Sequence, residues 1–393
     1  MFKIYLRRIH LFLAVITGLF LINLSVSGAL LLFAKEIQIA INPQYWLVTQ
    51  HEKSKLDTLL PLSALTEKIE RQIGQKINFI EIAESSQSAW QVRLANNNYL
   101  SIDPYTGDIL FEHSFYNTFY GFVMTWHRWL FYSKDNGEKP FQMWISIAAL
   151  TFTIELLLGC YLWAKPRHRL KRLKIRWQAK NRILLNQLHG TIGVLFCIPL
   201  ILIAFSGIAF FWQDAGKQVV EWLTLTEIEQ HNYQHKPLAS HGKYNLNQAY
   251  DSALSALPGG KVYRIYLPKK SGDPLALRIR MPNESHAYSW SWADPYSGQL
   301  IESFDASRAS AATQVWNFKY KFHIGEFIGW PVKVLWLLLS LLPCFFVITG
   351  MYLWCKRKQC LQSLVVKFNT FNGRASKTPF DNSSDSSPRQ KLG

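Results

Sequence analysis

Cysteine is scarce in this chain: there are five in 393 residues, and the two long polar connections at 35–140 and 213–333 contain none. No disulfide framework can therefore hold those connections. Cys160, Cys197 and Cys344 fall in apolar runs, while Cys355 and Cys360 follow the last run. One such pair without a partner motif is read as juxtamembrane rather than as a redox or metal centre. A Gly-x-Gly-x-x-Gly fingerprint is also missing, so the chain has no obvious site for oxidising a nicotinamide nucleotide. Acid is missing where base is densest. Residues 1–10 hold three Lys/Arg and 164–188 hold nine, with no Asp or Glu in either, and 355–393 hold eight against Asp381 and Asp385.

What is abundant is apolar and aromatic. Hydrophobic residues make up 49% of the sequence and aromatics 15%, with 15 tryptophans, a balance typical of membrane proteins with interfacial belts. Four apolar runs, 11–34, 141–163, 191–212 and 334–354, are each long enough to cross a hydrocarbon core of about 30 Å at about 1.5 Å per residue. The first follows Lys3, Arg7 and Arg8 but is too long for a signal-peptide core, and is read as a retained anchor. The two long connections balance at 23 basic and 23 acidic residues. The entire basic excess of this +17 chain thus lies on one side of the spans, which makes that side, with both termini, cytoplasmic. These basic runs hug membrane ends, so anionic lipid headgroups are their expected partners and nucleic acid is not.

The chain repeats itself. His10 is followed seventeen positions later by Ser27 in "SGALLLFAKE", and His189 seventeen positions later by Ser206 in "SGIAFFWQDA". The second run ends "GCYLWAKPR" and the fourth "GMYLWCKRK". The first connection contains "YLSIDPYTGDIL" and the second "SWSWADPYSGQLI". Asp-Pro-Tyr-[Thr/Ser]-Gly is turn chemistry between alternating strands, with a helix expected ahead of them in "LPLSALTEKIERQIGQ" and "YNLNQAYDSALSALPGG". His127 in "GFVMTWHRWLFY" has His323 in "YKFHIGEFIGW" as its repeat partner.

A helix, strands and a turn of this kind resemble the PepSY domain. With the four runs and the histidines, residues 1–360 resemble the PepSY-associated transmembrane family. The resemblance implies a bacterial inner-membrane protein, an α-helical bundle of four transmembrane helices with two periplasmic α+β PepSY-like domains and an internal duplication. The expected units are 1–34 (N-terminus and first helix), 35–120 (first periplasmic domain), 121–163 (interfacial helix and second helix) and 164–188 (basic cytoplasmic loop). Then follow 189–212 (third helix), 213–315 (second periplasmic domain), 316–354 (interfacial segment and fourth helix) and 355–393 (cytoplasmic tail, disordered from 361).

On this orientation His10 and His189 share the cytoplasmic face, and His127 and His323 the periplasmic face. Two opposed imidazoles from separate helices are what a bis-histidine haem requires. The expectation is two b-type haems, since no Cys-x-x-Cys-His attachment motif occurs. Each histidine alone is also readable as an interfacial residue. Zinc is disfavoured, because neither face offers a Cys or carboxylate to complete a tetrahedron. Gly18, Gly190, Gly193 and Gly207 provide room for a macrocycle or for close helix packing. Arg128 is read as a partner for a haem propionate or for lipid phosphate. Glu155, an acid within a span, is read as interacting with a haem, a quinol or a proton path, or as a neutral hydrogen-bonding group. His231, His235 and His241 are read as a solvated loop, with metal capture as the alternative. The resemblance implies a ferric-siderophore reductase. Electrons would pass from a cytoplasmic flavin, reductase or quinol to a periplasmic acceptor, a ferric siderophore. The competing readings are a non-enzymatic PepSY protein that binds or restrains a peptidase or partner, and the haem-bearing membrane subunit of another periplasmic reductase.

Overall fold

The computed structural model describes residues 2–48, 58–164, 170–229 and 242–375. Helix α1 (Phe2–Leu31) is followed by the short α2 (Ala34–Ile41) and α3 (Pro43–Trp46). Next come α4 (Leu62–Ile73) and four strands, β1 (Ile77–Glu81), β2 (Trp90–Leu94), β3 (Tyr99–Ile102) and β4 (Ile109–His113). Helix α5 (Phe119–Trp129) leads into α6 (Phe141–Ala164), then α7 (Asn181–Leu195), α8 (Cys197–Ile208) and α9 (Gln213–Thr224). The second polar connection gives α10 (Leu246–Ser255) and strands β5 (Lys261–Tyr266), β6 (Leu275–Arg280), β7 (Ser289–Ala293) and β8 (Leu300–Phe304). Helices α11 (Ala311–His323) and α12 (Trp330–Ala375) follow. The protein is thus a membrane helical bundle with a sheet domain.

Three helices, α1, α6 and α12 up to Gln359, are long and apolar enough to cross a membrane. The third apolar run is not the continuous span expected at 189–212. It is the pair α7 and α8, bent by 64° at a one-residue break. Pro199 accounts for the break, because it has no N–H to give to the Leu195 carbonyl and its ring crowds that oxygen. Pro343 interrupts α12 in the same way. There the loosened turn is filled from α1: the Ser25 hydroxyl donates to the Ser340 carbonyl and accepts from the Cys344 N–H at 3.3 Å. A polar side chain thus re-satisfies backbone groups that cannot turn to water at that depth. Helix α1 packs between α6 and α12, and α7 contacts both of those helices. Leu21, Phe152, Leu156, Leu200, Trp336, Leu339 and Val347 form the apolar centre of the bundle. The tail differs from expectation, since α12 continues to Ala375. The stretch "LQSLVVKFNTF" has neither Pro nor Gly to stop a helix.

The two polar connections do not form separate sheets. All eight strands make one antiparallel sheet in the order β4-β3-β2-β1-β5-β6-β7-β8. The halves join where β1 pairs β5, with Ile80 opposite Ile265 and Glu81 opposite Arg264. The Arg264 guanidinium also forms an ion pair with the Glu81 carboxylate across this seam. One apolar layer runs under both halves: Leu65 and Ile69 of α4 and Ala249 and Ala253 of α10 cover Ile80, Val92, Leu100, Ile265, Leu277 and Ile279. Each fully buried Leu or Ile there contributes roughly 1.5–3 kcal/mol. The expected turns are in place. Asp103 Oδ1 accepts from the Tyr105 N–H at 2.8 Å, Asp294 Oδ1 from the Tyr296 N–H at 2.9 Å, and Gly107 and Gly298 have φ of +75° and +73°.

Candidate functional site

The sheet hands the chain back to the bundle through α5 and α11, and each of these helices ends near a histidine. Thr118 caps α5 by accepting from the Gly121 N–H at 3.0 Å. Gly121 is required there, since a Cβ would lie 1.8 Å from the Phe115 carbonyl oxygen. The helix closes on Leu130, which has φ of +52°. This short, firmly terminated helix lays His127 against α1, where Ser27 Oγ lies 2.9 Å from His127 Nδ1. The neighbouring Trp126 indole donates to Asn23 Oδ1 and fixes the same face. On α11, capped by Ser310, His323 is the last residue. Its Nδ1 lies 2.9 Å from Ser206 Oγ and 3.3 Å from the Ile203 carbonyl. The glycines that follow these serines make the room: a Cβ on Gly28 would lie 3.3 Å from His127 Cε1, and one on Gly207 3.1 Å from His323 Cε1. The two imidazole centroids are 6.4 Å apart, with planes at 52°.

The second pair lies at the other end of the bundle. His10 of α1 and His189 of α7 also have centroids 6.4 Å apart, with planes at 86°. Gly159 and Gly350 back these rings; a Cβ on either would lie 3.7 Å from the facing Cε1. His189 Nδ1 is 2.8 Å from Thr349 Oγ1. The residue before Gly159 is Leu158, which has no hydroxyl, and His10 Nδ1 has no hydrogen-bond partner among the described residues. From His10 to Ser27, the contact of the other pair, α1 runs seventeen residues, roughly 25 Å at 1.5 Å per residue.

The hydroxyls bear on which ring nitrogen carries the proton. A hydroxyl has one proton, and each of the three is within donating reach of a backbone carbonyl. Ser27 reaches Asn23 at 2.6 Å, Ser206 reaches Ile203 at 2.8 Å and Thr349 reaches Phe345 at 2.7 Å. With the hydroxyl proton on that carbonyl, the facing Nδ1 donates, the ring proton sits on Nδ1 and the Nε2 lone pair is free; the Ile203 carbonyl, which can only accept, favours this form at His323. A ring that donates from one nitrogen and offers the other is the usual form of a metal-ligating histidine. All four rings are only partly covered.

The spacing leaves room for a metal between the rings of each pair. Two metal–nitrogen bonds of roughly 2 Å and two ring radii of roughly 1.1 Å sum to roughly 6.2 Å, close to the 6.4 Å between the centroids of each pair. No cluster of three or more His, Cys, Asp or Glu able to hold a metal occurs among the described residues. Each pair brings together two imidazoles and no third such group among the described residues, a donor set that would suit an iron porphyrin with four ring nitrogens of its own.

The other residues singled out from the sequence fall elsewhere. The Arg128 side chain is exposed, with its guanidinium 5.5 Å from the Trp129 ring centre. Glu155 is buried in the bundle, with Thr17 Oγ1 3.1 Å from its carboxylate. Gly18, Gly190 and Gly193 face Val347, Trp163 and Phe346, so they serve helix packing, and only Gly207 of that group backs a histidine. Cys355 is exposed, while the Cys360 side chain and His231, His235 and His241 lie outside the described residues. Sequence reasoning used Ser27 and Ser206 as markers of the repeat and missed that they orient the imidazoles.

The family described as "PepSY-associated TM region" matches residues 7–357. The chain belongs to this family. The matched region takes in all four histidines, both serines and the whole sheet. None of the curated proteins compared matches the chain.

Proposed function

We propose that each histidine pair holds one b-type haem, His10 with His189 and His127 with His323, and that the protein is a transmembrane electron carrier. Haem iron, when bound, supplies one-electron Fe(III)/Fe(II) chemistry. On this reading the donor, a flavin, a reductase partner or quinol, meets the His10/His189 end on the cytoplasmic side of the bacterial inner membrane. The acceptor, a ferric siderophore, meets the periplasmic sheet end. The four-helix bundle and the two sheet halves are read as products of one internal duplication, since each half supplies a span with an Ser-Gly pair, a helix with four strands, and a histidine-bearing helix. The protein's own contribution is orientation. Ser27, Ser206 and Thr349 hold three imidazoles as Nδ1–H tautomers, Gly28 and Gly207 let rings approach the helices, and the apolar centre keeps water from the space between pairs.

The observation that carries this reading is the hydroxyl geometry, which favours the Nδ1–H tautomer at His127, His323 and His189. An interfacial belt of histidines has no reason to set a hydroxyl against three of its four rings. The test is the optical spectrum of protein purified from haem-replete cells, with pyridine-haem analysis. About two haems per chain are expected. His127→Ala and His323→Ala should each remove the same haem, and the double variant should be no worse than either single. His10→Ala and His189→Ala should behave likewise for the other. A protein without a Soret band, or a His127→Ala variant that keeps both haems unchanged, refutes the assignment.

A further inference from the structure

Above the His127/His323 pair, between the end of α8, the sheet and α11, lies a cavity of about 340 Å³. Its walls include Phe210, Tyr263, Trp316 and Tyr320, and its cations are Arg278 and Lys319. Neither cation has a carboxylate within ion-pair distance among the described residues. Arg278 Nε donates to the Ala287 carbonyl at 2.7 Å, and the guanidinium lies 5.6 Å from the Tyr263 ring centre and 5.7 Å from that of Tyr288. Lys319 Nζ lies 3.4 Å from the Trp316 ring centre and 3.3 Å from the Ala209 carbonyl. Glu81 pairs with Arg264, and one oxygen of Glu284 accepts from the Met281 N–H at 2.8 Å.

Two half-sheltered cations without counter-ions are costly unless something anionic joins them. The titrating groups on this wall are sheltered as well. Burial, and then Lys217, lowers the pKa of Lys319 to about 8, while burial, and then Arg278, lowers that of His286 on the same wall to about 3. The volume falls in the range of small-molecule sites and is far larger than a single ion requires. Aromatic walls with a few placed charges fit a compact organic anion. Phe210 also meets the His323 ring edge-on at 5.5 Å, so whatever fills the cavity is one ring away from that pair.

We propose that this cavity binds the acceptor and selects metal chelates of net negative charge, of the polycarboxylate or catecholate kind, over neutral ones. The word acceptor rests on the function proposed above; the preference for an anion rests on Arg278 and Lys319 alone.

The test separates the two. Gallium(III) chelates match ferric chelates in charge and shape but take no electron at biological potentials, so their binding reads the cavity whether or not haem is present. Equilibrium dialysis of the full chain in nanodiscs against radiogallium citrate should show saturable binding that weakens as salt is raised. A neutral gallium trihydroxamate should bind at least about tenfold more weakly, one charge-assisted contact being worth that much. Lys319→Gln and Arg278→Gln should each cost about tenfold or more, while Lys319→Arg and Arg278→Lys should keep most of the affinity and show that the fold survives. A lipid phosphate is the other anion within reach, so the measurement is made in zwitterionic and in anionic nanodiscs. Citrate binding abolished by anionic lipid assigns the cavity to headgroups and overturns the proposal. Equal binding of the neutral chelate, or full binding by both Gln variants, overturns it as well. Gallium binding to a protein without a Soret band would retain the site and discard the electron-carrier reading.

Discussion

Ser27→Ala is the most telling single change, because the structure ranks it against its repeat partner. His127 Nδ1 has one acceptor, the Ser27 hydroxyl at 2.9 Å. His323 Nδ1 has two, the Ser206 hydroxyl at 2.9 Å and the Ile203 carbonyl at 3.3 Å. Removing Ser27 therefore frees one imidazole to rotate and to change tautomer, whereas removing Ser206 leaves the other still tethered. Loss of a hydrogen-bond partner behind a metal-ligating histidine costs about 10–100-fold in affinity, roughly 1.4–2.7 kcal/mol. Ser27→Ala should fall near the upper end and Ser206→Ala near the lower. The comparison is made in a His189→Ala background, so that the pair beside the sheet is the only one intact, by timing haem transfer to an excess of a haem-scavenging apoprotein. Ser27→Thr keeps the hydroxyl and should release haem at close to the parent rate. Equal rates for the two Ala variants, or a faster release from Ser206→Ala, would mean that the hydroxyls are not what orients the rings.

The bridge at Pro343 gives a second test. Ser25→Ala leaves the Ser340 carbonyl and the Cys344 N–H without their partner and should cost about 1–3 kcal/mol. Pro343→Ala lets α12 close on its own hydrogen bonds, so in a double-mutant cycle followed by thermal unfolding in detergent the Ser25→Ala penalty should largely vanish; additive penalties would rule out the bridge. His113 gives a third. It is 9% exposed among Trp46, Tyr99 and Phe111, and burial holds its pKa at about 4, below the ordinary 6.5. The unfolded chain therefore takes up this proton first. The stability that His113 contributes is complete above about pH 6.5 and is lost as pH falls toward about 4, at up to about 1.4 kcal/mol per unit. His113→Phe should flatten that part of the acid-unfolding profile of the sheet domain, and an unchanged profile would show that His113 is not buried neutral.

The bundle was legible because apolar length is a property of composition, and composition survives without coordinates. The turns were legible because Asp-Pro-Tyr-x-Gly encodes its own φ angles. The bend between α7 and α8 was available in principle, since Pro199 stands inside the third run, but an apolar window sums over a proline without noticing it. The joined sheet was not available. Nothing in "INFIE" or "KVYRIY" says that each strand prefers the other to an open edge, and the ion pair at the seam unites Glu81 and Arg264 from segments 183 positions apart. Arg278 and Lys319 were hidden for the same reason, one on a strand and one on a helix, neither in any motif.

The histidines show where the limit lies. Sequence spacing matched His10 to His189 and His127 to His323 as repeat partners, and a match of that kind does not measure contact. What makes His127 more than one ring in an aromatic belt is Ser27, a hundred positions earlier, whose own proton is committed to the Asn23 carbonyl. That commitment depends on the helical i−4 geometry of α1, on the glycine that follows, and on a capped helix that ends in time to bring the ring within 2.9 Å. Each ingredient was visible as a letter. Their joint effect, an imidazole anchored through Nδ1 with its centre 6.4 Å from that of His323, is a property of angles, and it is the part of the site that a substitution as small as Ser27→Ala can remove.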